Sequence, residues 1–197
     1  MTDSTAKPAK TIRLWDPLLR IFHWSLVVFV CSAWGLGQWG PDVMTLHFWA
    51  GYIVGGLLVF RWIWGLVGPK TARFSQFLQG PAAVVGYVSH MFARRPSNWY
   101  GHNPLGGWMV LIMLLLLSVQ VLTGLTSDPD DFINIGPWAQ YVGYEASVTA
   151  LDIHEAVATL ILIVVIAHVA AILFYAFWKR EDLVRPMVTG RKKIDDV

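Results

Sequence analysis

Four of the six histidines in this chain carry the chemistry that its sequence offers. His154 and His168 lie fourteen residues apart in LDIHEAVATLILIVVIAHVAAILFYAFWK, residues 151–179. Fourteen helical steps of about 100° end roughly 40° short of four full turns, so both imidazoles share nearly one face, about 21 Å apart along the axis. No Asp, Glu, Lys or Arg falls between Ala156 and Trp178, and His168 is the only histidine there. An imidazole inside hydrocarbon is costly enough to mark a functional site. Two of them on one face, at two depths, point to two metal centres, each needing a second ligand from another helix.

Four segments are long and apolar enough to position such ligands, since about twenty apolar residues cross a bilayer. They run over about 18–37, 45–67, 104–125 and 156–178. With 55% hydrophobic residues, 14% charged residues and eleven Trp, the chain is no ordinary soluble domain, and no nucleic-acid partner is expected. The polar N-terminus runs through Trp15-Asp16-Pro17 into a full-length apolar segment, which is not the pattern of a cleavable signal peptide. Asp16 and Pro17 suit a helix cap and first position, and residues 38–42 read as a turn. A short interfacial amphipathic helix is expected over 81–92, and the acidic, aromatic connection 126–150 has room for another near Trp138. The fold class is therefore all-α, an integral membrane four-helix bundle. Its divisions are a flexible tail over 1–14, a four-span domain over 15–180 and a basic tail over 181–197. The single Cys31 excludes an internal disulfide and a Cys-x-x-Cys-His motif, so any haem is held without thioether bonds.

Charge orients the bundle. All fifteen Lys and Arg fall before or at the start of the first span, at Arg61, within 68–95, or after Trp178. The positive-inside rule then places both termini and the 68–103 connection in the cytoplasm. His23 lies at the inner end of span one and His47 at the outer end of span two. In span four, His154 is shallow on the outer side and His168 lies toward the cytoplasm. Depth allows one pairing: His47 with His154, and His23 with His168. Each pair can clamp one planar macrocycle inside the bundle, where four-helix proteins build cofactor sites. Two imidazoles fill both axial positions of a haem iron, which suits electron transfer over binding of a small ligand. Zinc sites usually need four converging ligands. A lone histidine near an interface is as readily an interfacial side chain; the matched depths favour two b-type haems ligated by His23, His47, His154 and His168.

Arg61 follows His47 by fourteen residues and shares its face at the depth of the inner centre. It either snorkels to the headgroups or pairs with a haem propionate or quinone head. Arg20, one turn before His23, is an anchor or a propionate partner. Gly51 and Gly55 either leave room for a macrocycle or serve helix packing. The tryptophans read first as an aromatic belt. His90 and His102 lack a facing partner and read as structural or surface residues, with His102 also a candidate contact for a propionate or quinone.

WDPLLRIFHWSLV at 15–27, LHFWAGYIVGGLLVFRWIWGLVGPKTARFSQF at 46–77, GHNPLGGWMVL at 101–111 and HEAVA…AHVAAIL at 154–173 resemble the bacterial four-helix di-haem cytochrome b family, which includes the cytochrome b subunit of nickel–iron hydrogenases. The resemblance covers about residues 12–185. It implies haem ligands in spans one, two and four, here His23, His47, His154 and His168. It also implies a bacterial inner-membrane electron-transfer subunit between quinone and a periplasmic partner, such as a hydrogenase or a c-type cytochrome. A homodimer is compatible with such a small membrane cytochrome. The enzymatic alternative within the family is a stand-alone superoxide:quinone oxidoreductase. The outer loops carry Asp42, Asp128, Asp130, Asp131 and Glu145 and no Lys or Arg. That field opposes capture of an anion and suits a cationic protein surface.

Overall fold

The computed structural model describes residues 10–39, 44–94, 96–97, 99–131 and 133–194. Most of the expected turn over 38–42 and residues 1–9 of the expected N-terminal tail lie outside these. Four helices are long and apolar enough to cross a membrane: α1 (Pro17–Gln38), α2 (Met44–Val67), α5 (Pro104–Thr126) and α7 (Tyr144–Phe177). Two of them begin on side-chain caps, the first of which, Asp16, is the one expected from the sequence. The Asp16 carboxylate accepts from the Leu19 amide at 3.0 Å and the Asn103 side chain accepts from the Gly106 amide at 2.8 Å, each followed by proline. Between spans two and three lie the short α3 (Phe74–Phe77) and the interfacial-length α4 (Pro81–His90). A single turn, α6 (Ala139–Val142), precedes α7.

The fourth long helix begins well before the apolar run over 156–178. Gly143, at φ +82°, breaks the chain between α6 and α7, and helix then continues for 34 residues. At 1.5 Å per residue it is about 51 Å long, against a hydrocarbon core of about 30 Å, so it projects beyond the bilayer.

Antiparallel α1 and α2 pack along their lengths, as do α5 and α7, and the two hairpins meet where α2 touches α5. The shared core holds Leu19, Phe22, Val54, Leu58, Leu114, Leu117 and Ile161. Outward faces carry exposed Ile21, Val28, Val59, Ile63, Leu122, Ile163 and Ile166, as a bundle in lipid requires. A Cβ at Gly65 would overlap the Phe74 ring and one at Gly107 the Phe77 carbonyl, so α3 is seated directly against α2 and α5.

Where the sequence suggests separate tails over 1–14 and 181–197, the described parts of both are joined. Strand β1 (Lys10–Arg13) pairs antiparallel with β2 (Arg191–Ile194), Arg13 opposite Arg191. This ribbon is the only strand structure among the described residues. The short α8 (Val184–Thr189) ends at Gly190, φ +77°, whose carbonyl accepts from the Leu14 and Trp15 amides at 2.8 and 3.3 Å. Glu181 fastens the clasp, accepting from Lys192 Nζ at 2.7 Å and from the Ser97 amide and hydroxyl at 2.8 and 2.6 Å. Burial alone would raise the Glu181 carboxyl, but these hydrogen bonds outweigh it and hold the group below its ordinary value of 4.5. A depressed carboxylate stabilises the fold above its unfolded value and loses that contribution as pH falls through the folded one. Hydrogen exchange of the β1 and β2 amides is therefore expected to stay protected above pH 4.5 and to speed up below it; Glu181→Gln should abolish that pH dependence.

Candidate functional site

Near the end of the bundle that holds the α1–α2 turn, His47 on α2 and His154 on α7 face each other, ring centres 6.1 Å apart and planes at 71°. Each imidazole is held by a backbone carbonyl of the neighbouring helix in its own hairpin. His47 Nδ1 donates to the Ala33 carbonyl of α1 at 2.8 Å, and His154 Nδ1 to the Gln120 carbonyl of α5 at 2.9 Å, with the Thr123 hydroxyl at 3.3 Å. A carbonyl only accepts, so Nδ1 carries the proton and Nε2 keeps its lone pair for a metal. A helical carbonyl is already bonded to the amide four residues on, and those residues are Gly37 and Gly124. A Cβ would come within 3.2 Å of His47 Nδ1 at Gly37 and within 2.8 Å of His154 Cε1 at Gly124. Both glycines clear the approach to the carbonyl. Around the pair lies a cavity of about 590 Å³ bordered by Val30, Trp34, Gly51, Leu117 and Leu162.

Gly51 and Gly55 separate here. A Cβ at Gly51 meets nothing within 4 Å, so this glycine leaves the cavity open; one at Gly55 reaches Val121 at 3.3 Å, so that glycine serves packing of α2 on α5.

Toward the other end, His23 of α1 lies close enough to His168 of α7 to feel its charge. His102, just before α5, feels both of them and Arg61. Arg61 is 2% exposed and does not snorkel. Its Nη2 donates to the Ala72 carbonyl at 3.1 Å, and its guanidinium lies 4.8 Å from the centre of the Phe74 ring. His102 is enclosed between Trp15, at 4.8 Å, and Phe77, at 5.0 Å, rather than lying at the surface. Burial first, then the Arg61 charge, pushes its pKa down to about 4, so it is neutral at physiological pH. Four buried nitrogens in this region have no hydrogen-bond partner: Arg20 Nε, His23 Nδ1, Arg61 Nη1 and His102 Nδ1. His90, by contrast, is exposed at the end of α4.

Residues 14–190 match the family model of prokaryotic cytochrome b561. The chain belongs to that family. Two relatives extend the likeness over almost the whole length. A probable Ni/Fe-hydrogenase B-type cytochrome subunit of Rhizobium leguminosarum bv. viciae is 22% identical, covering 95% of this chain and 91% of the relative. Another protein so described, from Cupriavidus necator, is 24% identical over 98% of this chain and 91% of its own length. No solved structure gives a significant match. The family makes this a multi-pass protein of the bacterial inner membrane that transfers electrons by b-type haem.

The residues of this cytochrome fit such a group. Two imidazoles bound to one metal ion through bonds of about 2 Å have ring centres roughly 6 Å apart, and His47 and His154 are 6.1 Å apart. The unpaired buried nitrogens around Arg61 and His102 suit an acceptor-rich, anionic group such as a propionate, because a buried donor left unpaired is costly. Sequence reasoning missed Ala33, Gly37, Gln120, Thr123 and Gly124. The signal for the two glycines was their place in the outer turn of an apolar span beside a histidine-bearing partner. Gly124→Ala is expected to push the His154 ring off its carbonyl and weaken haem retention about 10- to 100-fold, the usual loss when a ligand's supporting bond goes, read by haem titration.

Proposed function

We propose that this cytochrome carries electrons across the membrane through two bis-histidine b haems, between quinone and a partner on the outer face. The observation that carries this reading is the His47–His154 pair, spaced at 6.1 Å with both Nδ1 protons committed to carbonyls. In this reading His47 and His154 hold the outer haem, and His23 and His168 the inner one. When bound, b-type haem supplies reversible one-electron iron chemistry, and the protein contributes orientation, dielectric and charge. Arg20, Arg61 and His102 neutralise or hydrogen-bond propionates at the inner level, or meet a quinone head there. The excess of Lys and Arg at that end supports a cytoplasmic setting for it and for both termini.

The partner at the other end follows from charge and from the relatives. Asp130, Asp131 and Glu145 are exposed in a connection without any Lys or Arg. Such a surface steers a cationic one toward it. The relatives are described as hydrogenase subunits, so a hydrogenase with a basic docking patch is the partner proposed first, and a basic c-type cytochrome the second. Superoxide, an anion, meets the wrong field.

Purified protein should carry two haems per chain. His47→Leu and His168→Leu should each leave one, measured as haem-to-protein ratio with reduced-minus-oxidised spectra. A wild-type ratio of one, or an unchanged ratio in either variant, overturns the assignment. Asp130→Asn with Asp131→Asn is expected to slow electron exchange with a basic c-type cytochrome about tenfold at low salt, an effect that fades as screening sets in.

A further inference from the structure

Lys179 closes the C-terminal end of α7 and is only 4% exposed. Its ammonium makes one long hydrogen bond, 3.5 Å to the Ala93 carbonyl, and lies 5.6 Å from the centre of the Tyr175 ring. The nearby carboxylate is already taken, since Glu181 accepts from Lys192 and twice from Ser97. Among the described residues no carboxylate lies within ion-pairing distance of Lys179. A buried charge without a counter-charge is strongly unfavourable. Something anionic completes this corner.

The ammonium borders a second cavity, of about 420 Å³, which Tyr87, His90, Ser97, Gln79 and Trp99 also line. It lies between α4 and the ends of α5 and α7, well apart from the facing His47 and His154. Tyr175 accepts a hydrogen bond from the Asn103 amide at 2.7 Å and touches the Tyr87 hydroxyl. When Tyr175 is the donor in its bond with Tyr87, the Tyr87 proton is left to point toward the cavity. Burial raises the Tyr87 phenol above its ordinary value, which keeps it a donor. Beside the cavity, α4 carries exposed Val85 and Val88, and Phe92 follows it, 68% exposed. Apolar side chains next to a buried cation at the end of a membrane-spanning helix describe the boundary between acyl chains and headgroups.

We propose that this cavity binds the phosphodiester head group of an anionic glycerophospholipid, with Lys179 as counter-ion, Tyr87 and His90 as donors, and the acyl chains continuing over the apolar flank of α4. A neutral quinone head would leave the ammonium uncompensated. Free phosphate would satisfy it, but would make no use of the apolar flank. Basic pockets between spanning helices are the usual setting for such head groups. The site depends on neither the number of haems nor the direction of electron flow.

The test uses the haem-loaded, full-length protein in detergent, titrated with dioleoyl phosphatidylglycerol and with dioleoyl phosphatidylcholine and read by native mass spectrometry. Wild type should prefer the anionic lipid about tenfold or more, a preference that Lys179→Gln removes and Lys179→Arg keeps, with the haem spectrum unchanged. Equal binding of the two lipids by wild type overturns the proposal, as does an undiminished preference in Lys179→Gln. Displacement of the lipid by millimolar inorganic phosphate, or by a short-chain quinone, also overturns it, assigning the cavity to a soluble anion or to a redox substrate. Should Lys179→Gln fail to fold, the wild-type selectivity and Lys179→Arg decide the matter.

Discussion

A ring nitrogen buried in a bundle that lipid surrounds has to find its hydrogen-bond partner within the protein, because water cannot supply one. That constraint shapes the outer half of this cytochrome. A carbonyl in mid-helix is already engaged, and it takes a second donor only where the residue four places on has no side chain in the way. Ala33 with Gly37 meets this condition for His47, and Gln120 with Gly124 meets it for His154. The same device occurs twice. Each hairpin, α1 with α2 and α5 with α7, is thus a holder for one imidazole, and docking the hairpins through α2 and α5 brings the two ring centres to 6.1 Å, planes at 71°.

The inner half follows another logic. Arg20, Arg61, His23 and His102 each leave a buried nitrogen unpaired, and aromatic rings from Trp15, Phe74 and Phe77 close around them. His102 stays uncharged because burial and the Arg61 charge both resist its protonation. The permanent cations Arg20 and Arg61 set a positive field there, which favours an anionic group and the more reduced state of any iron nearby. The two halves therefore differ in their surroundings, with carbonyl-bound imidazoles at one level and a buried guanidinium at the other.

Much of this was legible in the sequence because hydropathy and helical spacing are local properties. The four spans and the cap at Asp16 follow from runs of fewer than thirty residues. The start of α7 at Tyr144 did not, since residues 144–155 mix polar and apolar side chains and the helix there is no longer shaped by hydrocarbon. The enclosure of His102 was hidden because Trp15 and Phe77 reach it from distant parts of the chain. The glycine-cleared carbonyls were hidden for a related reason: a glycine in an apolar span reads as packing until a particular imidazole is known to lie against it. Nor does composition reveal that β1 and β2, each only four residues long, find one another.

That last pairing bears on the order of assembly. The β1 segment is made before any of the four long helices and β2 after all of them. The ribbon, and the contact of Glu181 with Lys192, therefore cannot close until all four helices have been made. The same closure fixes Trp15, whose amide is bonded to the Gly190 carbonyl and whose ring packs on His102, so the wall beside His102 is completed only at that stage.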